Sequence, residues 1–190
     1  SRSNIFGHGV PFRFPSTGDT GDGLTAVGKN LIRFCNDRRL LIDLSHLNEK
    51  GFWDAATLSK APLVATHSNA HAICASSRNL SDDQLKAVRD SGGMVGLNFA
   101  SGFLREDGRW STDTPLEIMV RHLDHMLKVA GENCVALGSD FDGARIPDGI
   151  KDATGLPNLI DTLRERQYSE KLIAKIAHEN WLSVLERTWG

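Results

Sequence analysis

LLIDLSHLNEKGFWDAATLSKAPLVATHSNAHAICASSRN, residues 40–79, holds two short apolar runs, each ending in a hydroxyl residue followed by histidine. Leu40–Leu44 leads to Ser45-His46, and Pro62–Ala65 leads to Thr66-His67. Runs this short, bounded by breakers, read as buried strands. Asn48 to Lys60 between them has an asparagine cap, apolar Phe52, Trp53, Ala56 and Leu58, and a proline stop at Pro62, which predicts a crossover helix. A crossover makes the strands parallel, so both histidines leave the sheet at its C-terminal edge, where α/β folds keep their chemistry. Imidazole is the commonest transition-metal ligand, and two at one rim suit zinc. A strand-end histidine also serves simply to bond a loop carbonyl, and the spacing alone leaves both readings open.

The rest of the chain extends the pattern. Ser1 to Gly23, rich in Gly, Pro, Asp and Ser, reads as a long loop lining the site. Thr25 caps a helix to about Arg38 with Val27, Leu31, Ile32, Phe34 and Cys35 on its apolar side. The small, polar stretch after His67 places His71 and Arg78 in a loop above the sheet, where a guanidinium can hold a carboxylate by two hydrogen bonds. Ser81 and Gln84 form a capping box for a short helix, and Met94–Phe99 reads as a third buried strand with Asn98 near its end.

Ser101 to Asp113 reads as a loop, and Thr114-Pro115-Leu116-Glu117 as a capped helix start. The helix it opens carries Leu116, Met119, Val120, Leu123, Met126, Leu127 and Ala130 on one face, with His122 and His125 placed outward or on its flank. Cys134–Gly138 makes a fourth strand, and Ser139-Asp140-Phe141-Asp142-Gly143 sits at its end. A carboxylate there, across from two histidines, suits proton transfer or metal binding; the same residues also suit a turn. A polar loop follows from Ile146 to Pro157, and the closing helices are 156–166 and 169–185, the second interrupted near His178-Glu179-Asn180.

The chain of 190 residues suffices for one cored region without an internal linker. A net charge of -2 with interspersed signs indicates neither a nucleic-acid patch nor a membrane-binding face. Cys35, Cys74 and Cys134, odd in number and widely spaced, read as ordinary buried thiols. No apolar run reaches membrane-spanning length, and the start SRSNIFGHGV is neither a signal peptide nor an obvious native start. The fold read from the residues is α/β: four parallel strands, each followed by a helix, making half of a (β/α)8 barrel. Four strands cannot close such a barrel.

Taken together, D-L-S-H, T-H-S-N-A, S-R-N, D-D-Q-L, G-L-N-F, R-H-L-D-H and G-S-D-F-D-G, in that order, make the chain resemble the membrane (renal) dipeptidase family of zinc peptidases, its bacterial branch most closely. The resemblance spans nearly all residues and implies the C-terminal half of an amidohydrolase-type (β/α)8 TIM barrel with two zinc ions. The region 1–190 is then one piece, with 1–23 a site-lining loop and 24–190 four strand–helix units.

By the resemblance, His46 and His67 bind one zinc, Asp140 shuttles the proton of the attacking zinc-bound hydroxide, and Arg78 grips the carboxylate of a dipeptide substrate. The family's His-x-Asp pair, its bridging Glu and a substrate-contacting histidine have no match here, and His8 lies too far along to be that histidine. The expected partner is therefore the upstream half of the barrel, with a homodimer over exposed sheet edges as the other arrangement. The bacterial branch implies a soluble, cytoplasmic setting. Two further readings stay open: a non-catalytic half-barrel module, and another amidohydrolase-type hydrolase that keeps the metal but not the Arg78 clamp.

Overall fold

A computed structural model describes residues 4–190. Three short parallel strands, β1 (Val64–Ala65), β2 (Met94–Leu97) and β3 (Val135–Leu137), form one sheet in the order β1-β2-β3. Register pairs Ala65 with Val95 and Val95 with Val135. The helices are α1 (Ala26–Arg38), α2 (Glu49–Leu58), α3 (Asp82–Asp90), α4 (Ser101–Leu104), α5 (Leu116–Ala130), α6 (Leu156–Glu165), α7 (Glu170–Ala174) and α8 (Asn180–Trp189). The β2 residues are buried throughout, as expected of a parallel strand with neighbours on both edges.

The first of the four expected strands, Leu40–Leu44, is reduced to one parallel bridge, Asp43 to Val64, with Leu44 N–H donating to Val64 O at 2.8 Å. This stretch has β1 on one side, Leu40 is 47% exposed, and the Asp43 side chain takes up nearby backbone N–H groups. With so little of the ladder paired, the segment runs in the strand direction without becoming a strand. The expectation of four strand–helix units is corrected to three strands with flanking helices.

Local sequence decides most of the helix ends. Asn48 accepts from Gly51 N–H at 2.9 Å and caps α2, and Thr25 caps α1. The Ser81–Gln84 box closes in both directions. The box expected at Thr114 does not form: the Thr114 hydroxyl donates to Ser111 O at 2.6 Å inside its own turn, and α5 starts one residue later with Pro115 at the cap. Within the loop expected at 101–113, Ser101–Leu104 instead forms the buried helical turn α4.

The apolar side expected of α1 is also corrected. Ile32 is buried, but Val27 and Phe34 are about half exposed and Leu31 is 39% exposed. Between α7 and α8, Lys175–Glu179 is a π turn, at the interruption expected from the sequence. It turns Asn180 and Trp181 toward the sheet: Asn180 Nδ2 donates to Glu132 O and Val135 O, each at 2.8 Å, and Trp181 Nε1 donates to Leu137 O at 2.8 Å. Alternate carbonyls of β3, which face away from β2, are thereby satisfied.

The polar neighbours of His122 place it outward or on the helix flank, yet it is fully buried. It falls between Met119 and Met126 on the apolar stripe of α5, where Nδ1 accepts from Ala70 N–H at 3.2 Å and Nε2 donates to Leu104 O at 2.9 Å. His125 pairs with Asp82 at 2.7 Å across to α3. Burial pushes the His122 pKa down to about 4, against the opposing hydrogen bond to Leu104. The folded value lies below the unfolded value of about 6.5, so the unfolded chain binds more protons between the two. His122 stabilisation is therefore complete above about pH 6.5 and is lost as pH falls toward 4, by up to roughly 3 kcal/mol. Urea midpoints measured from pH 7 to pH 4.5 should fall more steeply for the native sequence than for His122→Gln; parallel curves would remove His122 as the cause.

Candidate active site

His46, His67 and Asp140 stand just beyond the C-terminal ends of the strand-direction segments, and Arg78 lies in the loop between His67 and α3. His46 follows the Asp43 bridge in a left-handed conformation at φ 70°, and His67 follows β1. Their Nε2 atoms lie 3.0 Å apart. Glycines at 96 and 138 make room for the backbone just before His67: a Cβ at either position would overlap Thr66 O. Asp140 sits beyond β3, also left-handed at φ 59°, and its Oδ2 accepts from Asn98 Nδ2 at 3.0 Å.

The proton positions follow from the hydrogen bonds. Thr66 Oγ1 lies 2.6 Å from Asp43 Oδ2 and 2.6 Å from His67 Nδ1. A hydroxyl has one proton, and an ionised carboxylate only accepts, so Thr66 donates to Asp43 and accepts from His67 Nδ1–H. His67 therefore presents the bare lone pair of Nε2 toward His46.

Asp43 also accepts from Ser45 N–H and Thr66 N–H, each at 2.9 Å, joining the two histidine-bearing segments. Burial works to raise the Asp43 carboxyl, but the Thr66 and Ser45 bonds outweigh it and hold its pKa below the ordinary value. Sequence reasoning treated Asp43 as part of an apolar run; a lone acid two residues before Ser-His was the available signal. Burial, and then the positive charge of Arg78, pushes His46 down to about 4 and His67 in the same direction, so both rings are neutral at pH 7.

Arg78, in the loop after His67, is 3% exposed. Its Nη2 donates to His67 O at 3.0 Å, its guanidinium carbon lies 5.3 Å from the centre of the Phe103 ring, and its buried Nε has no partner. Burial lowers it to about 10, which leaves it charged at pH 7. The loop that carries it is buried because asparagines satisfy its backbone and that of its neighbours. Asn69 donates to Asn98 O and Phe103 O, and Asn79 donates to Cys74 O and Phe103 O. His71 instead bonds Ser16 O at 2.8 Å and fastens the N-terminal loop.

Two ligands on one tetrahedral zinc, at Zn–N distances of about 2.0–2.1 Å, stand roughly 3.3 Å apart. The observed 3.0 Å between the imidazole nitrogens, and the free lone pair on one of them, fit such a cation. The Asp43–Thr66–His67 relay is the outer-shell support that metal-bound histidines commonly have. Among the described residues no group of three or more His, Cys, Asp or Glu converges as a complete metal site. Two imidazoles 3.0 Å apart, a carboxylate held by Asn98 and a buried guanidinium with an unfilled donor thus gather at this rim.

Residues 3–189 match the model of the membrane dipeptidase family, peptidase family M19, and the chain belongs to that family. It is 54% identical over 187 residues to the uncharacterized protein in the pqqA 5' region of Klebsiella pneumoniae, covering 98% of this chain and 69% of that one. The crystal structure of dipeptidase AC, an M19 metallo peptidase, superposes with a TM-score of 0.99 at 59% identity, over 100% of this chain and 56% of that chain. A metallo peptidase from Rhodobacter sphaeroides, liganded with a phosphinate mimic of the dipeptide L-Ala-D-Ala, matches at 60% identity and a TM-score of 0.96, over 97% of this chain and 53% of that one. The chain thus spans slightly more than half the length of these solved relatives. Among the described residues no helix is long and apolar enough to cross a membrane.

Asp43 ties the two histidine-bearing segments together through Ser45 and Thr66. In the full-length protein, Asp43→Ala should weaken zinc binding about 10- to 100-fold, read by chelator competition, while far-ultraviolet circular dichroism stays unchanged. Native zinc affinity in the variant would remove Asp43 from the site.

Proposed function

We propose that this chain is the C-terminal half of a zinc-dependent dipeptidase barrel and carries half of its metal centre and the substrate-carboxylate clamp. The observation that supports this best is the convergence of His46 and His67 at one rim, 3.0 Å apart, beside an almost fully buried Arg78 with an unpartnered Nε. Zinc, when bound, would polarise the scissile carbonyl and make an attacking water more acidic. His46 and His67 would hold one ion through Nε2. The remaining ligands, and a second ion, would come from the portion of the relatives' length that this chain does not span. The exposed Val27, Leu31 and Phe34 on α1 are the surface this upstream half would help to cover.

The substrate binds with its free carboxylate on Arg78, whose fixed donors suit a two-pronged grip. That grip sets the only amide bond of a dipeptide near the histidine pair. Asp140, oriented by Asn98, takes a proton from the attacking water and returns it to the leaving amine nitrogen. Asn98 Nδ2 also reaches His67 O at 3.4 Å, which links the proton-handling side of the site to the metal-binding side.

The deciding experiment measures zinc per chain in full-length protein purified without chelator, together with hydrolysis of L-Ala-D-Ala. About two zinc ions per chain with turnover is the expected result; neither zinc nor turnover would overturn the proposal. Replacing Arg78 with Met should raise KM for dipeptides about 100-fold, the worth of a lost charge-assisted pair, with a smaller change in kcat. An unchanged KM would show that the carboxylate is held elsewhere.

A further inference from the structure

A set of aromatic rings beside the Arg78 guanidinium has no part in the metal site. Phe103 lies under the guanidinium. Phe12 packs edge-on to Phe103 at 5.5 Å and stands 6.2 Å from the His46 ring, and Trp110 packs against both, 5.0 Å from Phe103 and 6.3 Å from Phe12. These rings make a continuous wall from the histidine pair to the arginine. Phe103 is 4% exposed, whereas Phe12 is 57% exposed.

Phe12 is open yet held in place. Val10 N–H donates to His46 O at 2.8 Å, the Ser77 hydroxyl donates to Pro11 O at 2.5 Å, and Arg13 N–H donates to Ser77 Oγ at 3.3 Å. The backbone on each side of Phe12 is thus fastened to the residue after Ser45 and to the residue before Arg78. Trp110 is seated as firmly, since a Cβ at Gly102 would overlap its ring and Arg145 Nη1 holds its carbonyl at 3.2 Å. An exposed phenyl on an anchored backbone offers apolar contact at little ordering cost.

We infer that Phe12, Phe103 and Trp110 form a side-chain subsite selecting dipeptides whose C-terminal residue is large and apolar or aromatic. The inference rests on the carboxylate clamp proposed above. A C-terminal residue with its carboxylate on Arg78 and its amide nitrogen near the histidine pair has its Cα between the two. Phe12 and Phe103 bound that interval, so the side chain on that Cα meets rings. The wall itself carries no charge to pair with an acidic or basic side chain, and Phe12 has apolar area left to cover.

The test uses the full-length zinc-loaded protein and compares Gly-Phe with Gly-Gly. The ratio of kcat/KM values should favour Gly-Phe by at least about tenfold, a modest return for covering one phenyl face. It should fall about tenfold in Phe12→Ala, mainly through KM, and recover in part in Phe12→Leu. An equal ratio in native protein and Phe12→Ala overturns the subsite, as does a native preference for acidic or basic C-terminal residues. Calorimetric binding of N-acetyl-phenylalanine and N-acetyl-glycine supplies an independent reading. Should no dipeptide be cleaved while N-acetyl-phenylalanine still binds tighter and loses that advantage in Phe12→Ala, the hydrolase proposal falls and the subsite stands. Equal binding of the two acids, or binding of neither, overturns the subsite.

Discussion

The Asp43 carboxylate ties together the ends of two chain segments that share only one ladder bridge. Parallel strands leave their terminal N–H groups unpaired at the C-terminal edge, and a loop departing there must satisfy them locally. Asp43 does so for Ser45 and Thr66 at once, and the Thr66 hydroxyl passes the constraint on to the His67 ring. The separation of the imidazoles and the tautomer of His67 thus follow from one knot of hydrogen bonds on a half-exposed carboxylate. Arg78, fastened to His67 O, is oriented by the same end of β1.

Burial and charge act together at this rim. Desolvation and the nearby guanidinium both disfavour protonated imidazole, so the lone pairs are kept available. The guanidinium is itself desolvated with a donor unfilled, a costly state unless a ligand completes it. Asn69, Asn79 and Asn98 satisfy the buried backbone beside these groups, and Asn98 also holds the Asp140 carboxylate.

How far the sequence carries depends on the range of the interaction involved. The strand-end positions of His46, His67 and Asp140 were legible because apolar runs, caps and breakers are local, and the order of elements then fixes which edge they share. Arg78 was legible from its place in the polar loop after His67, but its burial was not, because the carbonyls that Asn69 and Asn79 bond to bury that loop, Asn98 O and Phe103 O, lie far along the chain. His122 was misplaced by its charged neighbours, although its spacing from Met119 and Met126 put it on the inner stripe of α5. The segment before His46 has a strand's composition, but a strand also needs neighbours, and composition does not count them. Asp43 and Phe12 were overlooked because each acts by touching residues that sequence distance hides.

The π turn at Lys175–Glu179 carries a consequence for how this chain can vary. A π turn accommodates one residue more than an α-helix would at that point. The turn has already absorbed that residue, so a further one inserted in α7 would continue the helix and rotate everything beyond it by about 100° about the helix axis. Asn180 and Trp181 would swing off β3, and Glu132 O, Val135 O and Leu137 O would lose their donors together. Substitutions along the exposed face of this helix are tolerable on these grounds, whereas an added residue is not. The final helix is therefore set against the sheet by a count that has no room for another residue.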